Sequence, residues 1–248
     1  MGQPARIERL VEGGVVLWRK RHADQGRRFR TWCLNLAARG LGIAALAAPA
    51  PLRAAEACAT EARMIERLRG QGARVPEILM RGPRELLLSD LGPTLAMACR
   101  AAREPSERAA LVEAGFAALA ALHANGGCAS QAFARNMTWQ DGAVGFIDLE
   151  QDPLTAMPLQ AAQARDVVLF VYSTVRFLRD DLPAYRRLLR AHLAAEPEGV
   201  ALLVSQCARR LAWLQPLLRA LGRHGQPVTL PLRKLANGTT PYAPVQTP

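Results

Sequence analysis

Lysine is almost absent from this sequence. Of 248 residues, 32 are Lys or Arg, yet only Lys20 and Lys234 are lysines. Arginine serves nearly everywhere a cation is wanted, so a lysine retained in such a chain hints at a position that needs a compact ammonium. Aromatics are scarce as well, at 5%, which leaves aliphatic side chains, many of them Ala and Leu, to fill the interior. No apolar run reaches the ~20 residues that span a bilayer. The best stretch, residues 41–52, is short and carries Pro49 and Pro51. No secretory signal is expected, because the charged first ten residues have no apolar run behind them. The five cysteines, Cys33, Cys58, Cys99, Cys128 and Cys207, are odd in number and contain no C-x-x-C pair. Neither a disulfide framework nor a zinc site follows, and a reducing cytoplasm is the expected compartment.

What is present points to a folded, basic protein. Hydrophobic residues make up 50% and charged residues 21%, which excludes a disordered chain. The length suits one large domain or two small lobes. The formal net charge of +11 favours anionic partners: nucleic acid, a membrane surface or a phosphate-bearing substrate. The charge is uneven: residues 19–30 hold six bases and one acid, and no acid follows Glu198. A nucleic-acid-binding module is permitted by the charge but lacks a stacking platform or recognition motif, so nucleic acid is not the expected partner.

Periodicity divides the chain. Residues 6–11 and 15–21 predict two strands around the turn Gly13-Gly14, and residues 77–80 and 85–88 predict a second hairpin around Gly82-Pro83. Between them, residues 27–46 read as a basic amphipathic helix with Phe29, Trp32, Leu36 and Ile43 as apolar positions, and residues 54–69 as a helix ended by Gly70 and Gly72. The segment Ser89-Asp90-Leu91-Gly92-Pro93 is a linker signal. Beyond it the pattern is helical over 106–124, with Ser106 as N-cap, and over 159–178, 182–194 and 200–221. An irregular polar stretch, 125–136, precedes two short strands around Asp141-Gly142. The expected organisation is α+β: a β-rich N-terminal lobe with an inserted basic helix over 1–91, a helical C-terminal lobe over 92–224, and a Pro-rich tail over 225–248. A cleft between the lobes is implied.

Five features carry chemistry, in chain order: Lys20 on a strand, Glu61 on a helix, the loop 127–136 ending in Arg135-Asn136, the run Phe146-Ile147-Asp148-Leu149-Glu150, and Asp166 at the head of a helix. A lysine holds phosphates, a carboxylate orients it, and an Asn with an Asp holds Mg²⁺. This order resembles the protein-kinase-like fold, and within it the small bacterial branch of lipopolysaccharide core sugar (Kdo and heptose) kinases. The resemblance covers residues 6–189. It rests on Leu122-His123 leading to Arg135-Asn136, on Phe146-Ile147-Asp148 after a short hairpin, and on an Asn136-to-Asp148 separation of 12 residues. The run Ala59-Thr60-Glu61-Ala62-Arg63 is similar to the family's key N-lobe helix, and Leu86 to Leu91 to its strand into the hinge.

The resemblance implies an ATP- and Mg²⁺-dependent phosphotransferase with a hydroxyl acceptor, such as a lipopolysaccharide core sugar. It implies Lys20 as the phosphate lysine with Glu61 as its ion-pair partner, Ser89, Asp90 and Leu91 as the adenine-binding linker, Asn136 and Asp148 as Mg²⁺ ligands, and Asp166 as a brace of the catalytic loop. Three departures stand against this pattern. No Gly-x-Gly-x-x-Gly precedes Lys20. Gln131 occupies the position of the catalytic Asp, with Ala129 at that of the His, so Glu150 or Asp152 would have to substitute as base. Asp148-Leu149-Glu150 replaces Asp-Phe-Gly. Hence the alternative of a pseudokinase, a nucleotide-binding or scaffold protein without transfer activity. The basic stripe around Phe29 and Trp32 suits either an interfacial anchor on an anionic membrane or packing on the N-terminal lobe.

Overall fold

The computed structural model describes residues 6–25, 35–36, 40 and 42–213. Its N-terminal region is a four-stranded antiparallel sheet in the order β1-β2-β4-β3, built from β1 (Ile7–Glu12), β2 (Val15–Arg21), β3 (Ile78–Arg81) and β4 (Glu85–Ser89). Gly13 and Gly14 close the first hairpin with φ of 57° and 82°, the left-handed pair that a tight two-residue turn demands and that glycine adopts without a Cβ penalty. The register pairs Arg9 with Trp18, Ile7 with Lys20, Trp18 with Leu88 and Lys20 with Leu86. Alternation along the strands therefore sets Ile7, Arg9, Trp18, Lys20, Leu86 and Leu88 on one face.

Helix α1 (Ala54–Gly70) covers that region. Its buried stripe, including Cys58, Ala62, Met64, Ile65 and Leu68, joins Leu86 and Leu88 in the core, as apolar spacing of three and four residues requires. Glu61 lies on the same stripe at 1% exposure. A charge so placed needs partners, which are described below.

The C-terminal region is helical: α2 (Leu95–Ala101), α3 (Pro105–Ala124), α4 (Leu159–Thr174), α5 (Leu182–Ala195) and α6 (Val200–Trp213). A short hairpin, β5 (Met137–Gln140) with β6 (Ala143–Phe146), interrupts them. Phe116 of α3 meets Phe170 of α4 edge-on at 4.8 Å. Gly115 permits this approach, since a Cβ there would fall 2.3 Å from Phe170. The four described cysteines, Cys58, Cys99, Cys128 and Cys207, are free and buried.

The structure corrects several sequence expectations. Helix α3 is capped by Glu104, with Pro105 in the first turn and Glu107 completing a capping box, so Ser106 is not the cap. The helix expected to run to 178 tightens into a 3-10 turn at Val175–Leu178. The basic helix expected over 27–46 falls largely outside the described residues, but its end is different. Gly42 has φ of 61°, which breaks helical geometry, and Ala44–Leu46 is a 3-10 turn. This turn packs against α4, with Ile43 and Ala45 buried at 2% and 4% in a core that takes in α1 as well as the C-terminal helices. Arg165 donates to the Ala47 carbonyl at 3.0 Å, and Arg210 donates to that of Gly42. The chain is drawn together on either side of residues 26–51. Gln25 N–H bonds the Leu52 carbonyl at 3.0 Å and Ala54 N–H bonds Asp24 at 2.8 Å. The expected tail 225–248 lies outside the described residues. Among the described residues, no helix is long and apolar enough to cross a membrane.

Candidate functional site

A cleft of about 520 Å³ separates the sheet from the helical region, within the range of small-molecule and cofactor sites. Lys20, Glu61, Asn136 and Asp148 all line it, as do Ser89, Asp90 and Leu91 of the linker. Three separate elements supply the four polar groups. β2 carries Lys20, α1 carries Glu61, and the ends of the β5–β6 hairpin carry Asn136 and Asp148. The hairpin explains the last pair. Met137 faces Phe146, and the ladder continues with Ile147 N–H on the Asn136 carbonyl at 2.9 Å. Residues 12 apart in sequence are thereby returned to the same rim of the cleft.

Lys20 is the centre of the charge network. Its Nζ lies 2.7 Å from Glu61 Oε1, 2.6 Å from Asp148 Oδ1 and 4.0 Å from Glu150 Oε2. Burial works against the ammonium, but these three carboxylates outweigh it and raise the Lys20 pKa. Glu61 shows the mirror image: burial opposes its charge, and Lys20 and His22 overcome that and lower its pKa. Its carboxylate accepts three hydrogen bonds. Lys20 Nζ and the Leu149 N–H, at 3.2 Å, meet Oε1, and His22 Nε2 meets Oε2 at 2.6 Å.

Asp148 differs from both. Its side chain is 39% exposed, and its backbone holds φ of 61°, a left-handed conformation that strains most residues by about 1–3 kcal/mol and concentrates at functional positions. Asn136 is fixed by its amide, which donates to the Gln131 carbonyl at 3.1 Å. Gln131 itself does not line the cleft. Its side chain donates to Gln151 at 3.2 Å, so what it offers the site is its backbone. Of the two substitute bases, Asp152 is engaged by Arg67 at 2.9 and 3.0 Å, and Glu150 is paired with Arg6.

A second network lies behind the loop. Asp166 on α4 is fully buried and accepts the Ala129 N–H at 2.6 Å, which ties the loop 127–136 to the helical core. His123 stands 3.5 Å from Asp166 and 2.7 Å from Glu196. His192 lies 2.8 Å from the other Glu196 oxygen. Burial opposes the His123 charge, but Asp166 and Glu196 prevail and raise its pKa to about 9. Glu196 is lowered to about 2: burial again opposes, and His123 and His192 prevail.

His22, Glu61 and Glu150 bring ligand atoms within 4.8 Å of one another. This is not a metal centre, because the Lys20 ammonium already sits 2.7 Å from Glu61 and 4.0 Å from Glu150. Asn136 and Asp148 suit a divalent cation better. Both offer oxygens, as hard cations prefer, and more than a third of the Asp148 side chain is open to solvent.

Trp18 also belongs to the site. Its indole lines the cleft and donates to Asp90 Oδ1 at 2.6 Å, joining the sheet face to the linker. Neither Trp18 nor His22 was among the residues expected from sequence. Strand alternation was the available signal, since Trp18, Lys20 and His22 follow one another at spacing two. No family model matches the chain, and no curated protein matches it.

Proposed function

We propose that this chain is an ATP- and Mg²⁺-dependent phosphotransferase with the two-lobed protein-kinase-like architecture, acting on a hydroxyl acceptor. The observation that carries the reading is the convergence of Lys20, Glu61, Asn136 and Asp148, from three separate elements, on one cleft of cofactor size. In this reading Lys20 meets the nucleotide phosphates and Glu61 holds the ammonium in place. Asn136 and Asp148 would hold Mg²⁺, which would supply positive charge to offset that of the phosphates. The linker Ser89-Asp90-Leu91 borders the base. A lipopolysaccharide core sugar is the acceptor that the sequence resemblance implies.

The missing base does not remove the logic of the site. Phosphoryl transfer has a loose transition state, and its catalysis is mostly positioning and charge stabilisation. One observation nevertheless favours a second reading, a nucleotide-binding protein without transfer. The Gln131 side chain turns to Gln151 rather than lining the cleft.

Thermal shift with ATP, with and without Mg²⁺, tests the first claim. A ligand that binds only the folded state at a hundred times its Kd adds about 2.7 kcal/mol. Mg²⁺ should enlarge the ATP-induced shift, and Asp148→Asn, which keeps a residue tolerant of the left-handed backbone, should abolish the Mg²⁺-dependent part. Equal shifts for wild type and variant would defeat the assignment. Release of labelled phosphate by the same protein separates the transferase from the silent binder.

A further inference from the structure

The Glu61 carboxylate is gripped from both sides by one strand and its extension. Lys20 and His22 are two residues apart, so the extended backbone turns both side chains to the same face. Nζ of Lys20 takes Oε1 at 2.7 Å and Nε2 of His22 takes Oε2 at 2.6 Å. The His22 side chain is wholly buried, and its backbone N–H is anchored on the Arg84 carbonyl at 2.8 Å. A carboxylate held at one oxygen can swing about its terminal torsion, which is broad and soft. Held at both oxygens, it cannot. With Oε2 taken by His22, Oε1 is left facing Lys20 and the Leu149 N–H. The same oxygen thus links the lysine to the segment that carries Asp148.

We infer that His22 is a positioning residue that locks Glu61, and through it keeps the Lys20 ammonium in the cleft before any ligand arrives. This rests on the phosphate-binding role proposed for Lys20, but the grip itself is readable without a nucleotide. Since a carboxylate oxygen only accepts, Nε2 carries the proton of the His22–Glu61 bond. Lys20 is also drawn toward Asp148 and Glu150. Without the His22 contact, Glu61 would be free to turn, and the ammonium would follow the more exposed Asp148.

The chain has only two lysines, so lysine-selective isotope labelling gives two ammonium signals. Lys20 should show a signal protected from solvent exchange. His22→Gln keeps a donor at the reach of Nε2 and should retain both that protection and wild-type affinity for Mg²⁺–ATP. His22→Leu should lose the protected signal and weaken Mg²⁺–ATP roughly tenfold, the usual scale for a lost hydrogen bond to a charged group. In a Glu61→Gln background, His22→Leu should add little further. If His22→Leu fails to fold, His22→Asn, whose donor falls short of Oε2, replaces it with the same expectation. An unchanged Lys20 signal in the variant that lacks the donor would overturn the inference. So would equal losses in Gln and Leu variants. If wild type shows the protected ammonium yet binds no Mg²⁺–ATP, the phosphotransferase reading fails and the positioning role of His22 stands.

Discussion

Two buried charge networks flank the loop 127–136, and they are built differently. Behind it, Asp166, His123, Glu196 and His192 are closed off, and the side chains of the first three are wholly buried. In front of it, Lys20 and Glu61 are equally buried, but their third partner, Asp148, is 39% exposed. The rear network is shut off from solvent: His123 lies between Asp166 and Glu196, and the Asp166 carboxylate holds the loop through Ala129 with one oxygen while its other oxygen has no hydrogen-bond partner among the described residues. The front network leaves one carboxylate held by a single ammonium at the edge of a cleft, on a strained backbone. A closed network of this kind serves the fold. A network with one exchangeable member can trade that member's partner for a ligand.

The largest expected effect breaks the rear network. His123→Leu leaves Glu196 and Asp166 without the cation they share. Removing one partner of a buried pair costs about 3–5 kcal/mol, to be read from urea unfolding. The same measurement on Asp148→Asn should show no more than about 1 kcal/mol, since the pair it breaks is partly solvated. Similar losses from both would erase the distinction between the networks.

Next in size is a pH effect confined to the rear network. His123 is raised from 6.5 to about 9 on folding. A raised basic group stabilises fully below its unfolded pKa, and that stability is lost as pH climbs through the folded value. A shift of this size corresponds to on the order of 3 kcal/mol, lost between pH 6.5 and 9. Glu196 is lowered from 4.5 to about 2, so its share is present above pH 4.5 and lost as pH falls through 2. As far as His123 and Glu196 decide it, stability is flat between 4.5 and 6.5, while Asp166, raised by burial, adds a loss as pH climbs above its ordinary value. His123→Gln should remove most of the loss on the alkaline side. A wild-type curve that does not fall there would place the imidazole outside the pairing described.

The smallest effect tests the front network. Lys20→Arg keeps the charge but replaces a point ammonium with a wide planar fork that cannot sit between Glu61 and Asp148 in the same geometry. Mg²⁺–ATP affinity should fall by roughly tenfold, about 1.4 kcal/mol, nearly as far as with Lys20→Ala. Full retention would reduce Lys20 to an ordinary cation.

Much of the architecture was legible because it is local. The two N-terminal hairpins, the α1 stripe and the Asn136–Asp148 spacing are set by neighbours in sequence, and the linker announced itself through Gly92-Pro93. What stayed hidden depends on contacts across the chain. His22 is an ordinary lone histidine until Glu61, 39 residues away, is placed against it. Gln131 was identified by its distance from Asn136, which says nothing of the direction its side chain takes. The apolar positions near Ile43 promised a buried face, but hydrophobic spacing does not name the surface that receives it. The structure sets the 3-10 turn that follows Ile43 against α4.

The docking of residues 42–47 bears on how the molecule can move. A bilobed protein joined only at a linker swings like a door on one hinge. Here the chain crosses to the helical side, fastens Ile43 and Ala45 there, and returns to the sheet side at Leu52, immediately before α1. The two halves are held beyond the linker at this strap and again past the end of α1, where Arg67 bonds Asp152 at 2.9 and 3.0 Å and the Phe146 N–H bonds the Arg74 carbonyl at 2.8 Å. A simple opening about the linker would have to peel the strap from the helices and part these bonds. Because α1 begins where the strap ends and its far end is tied to Asp152, such an opening would load both ends of the helix that carries Glu61.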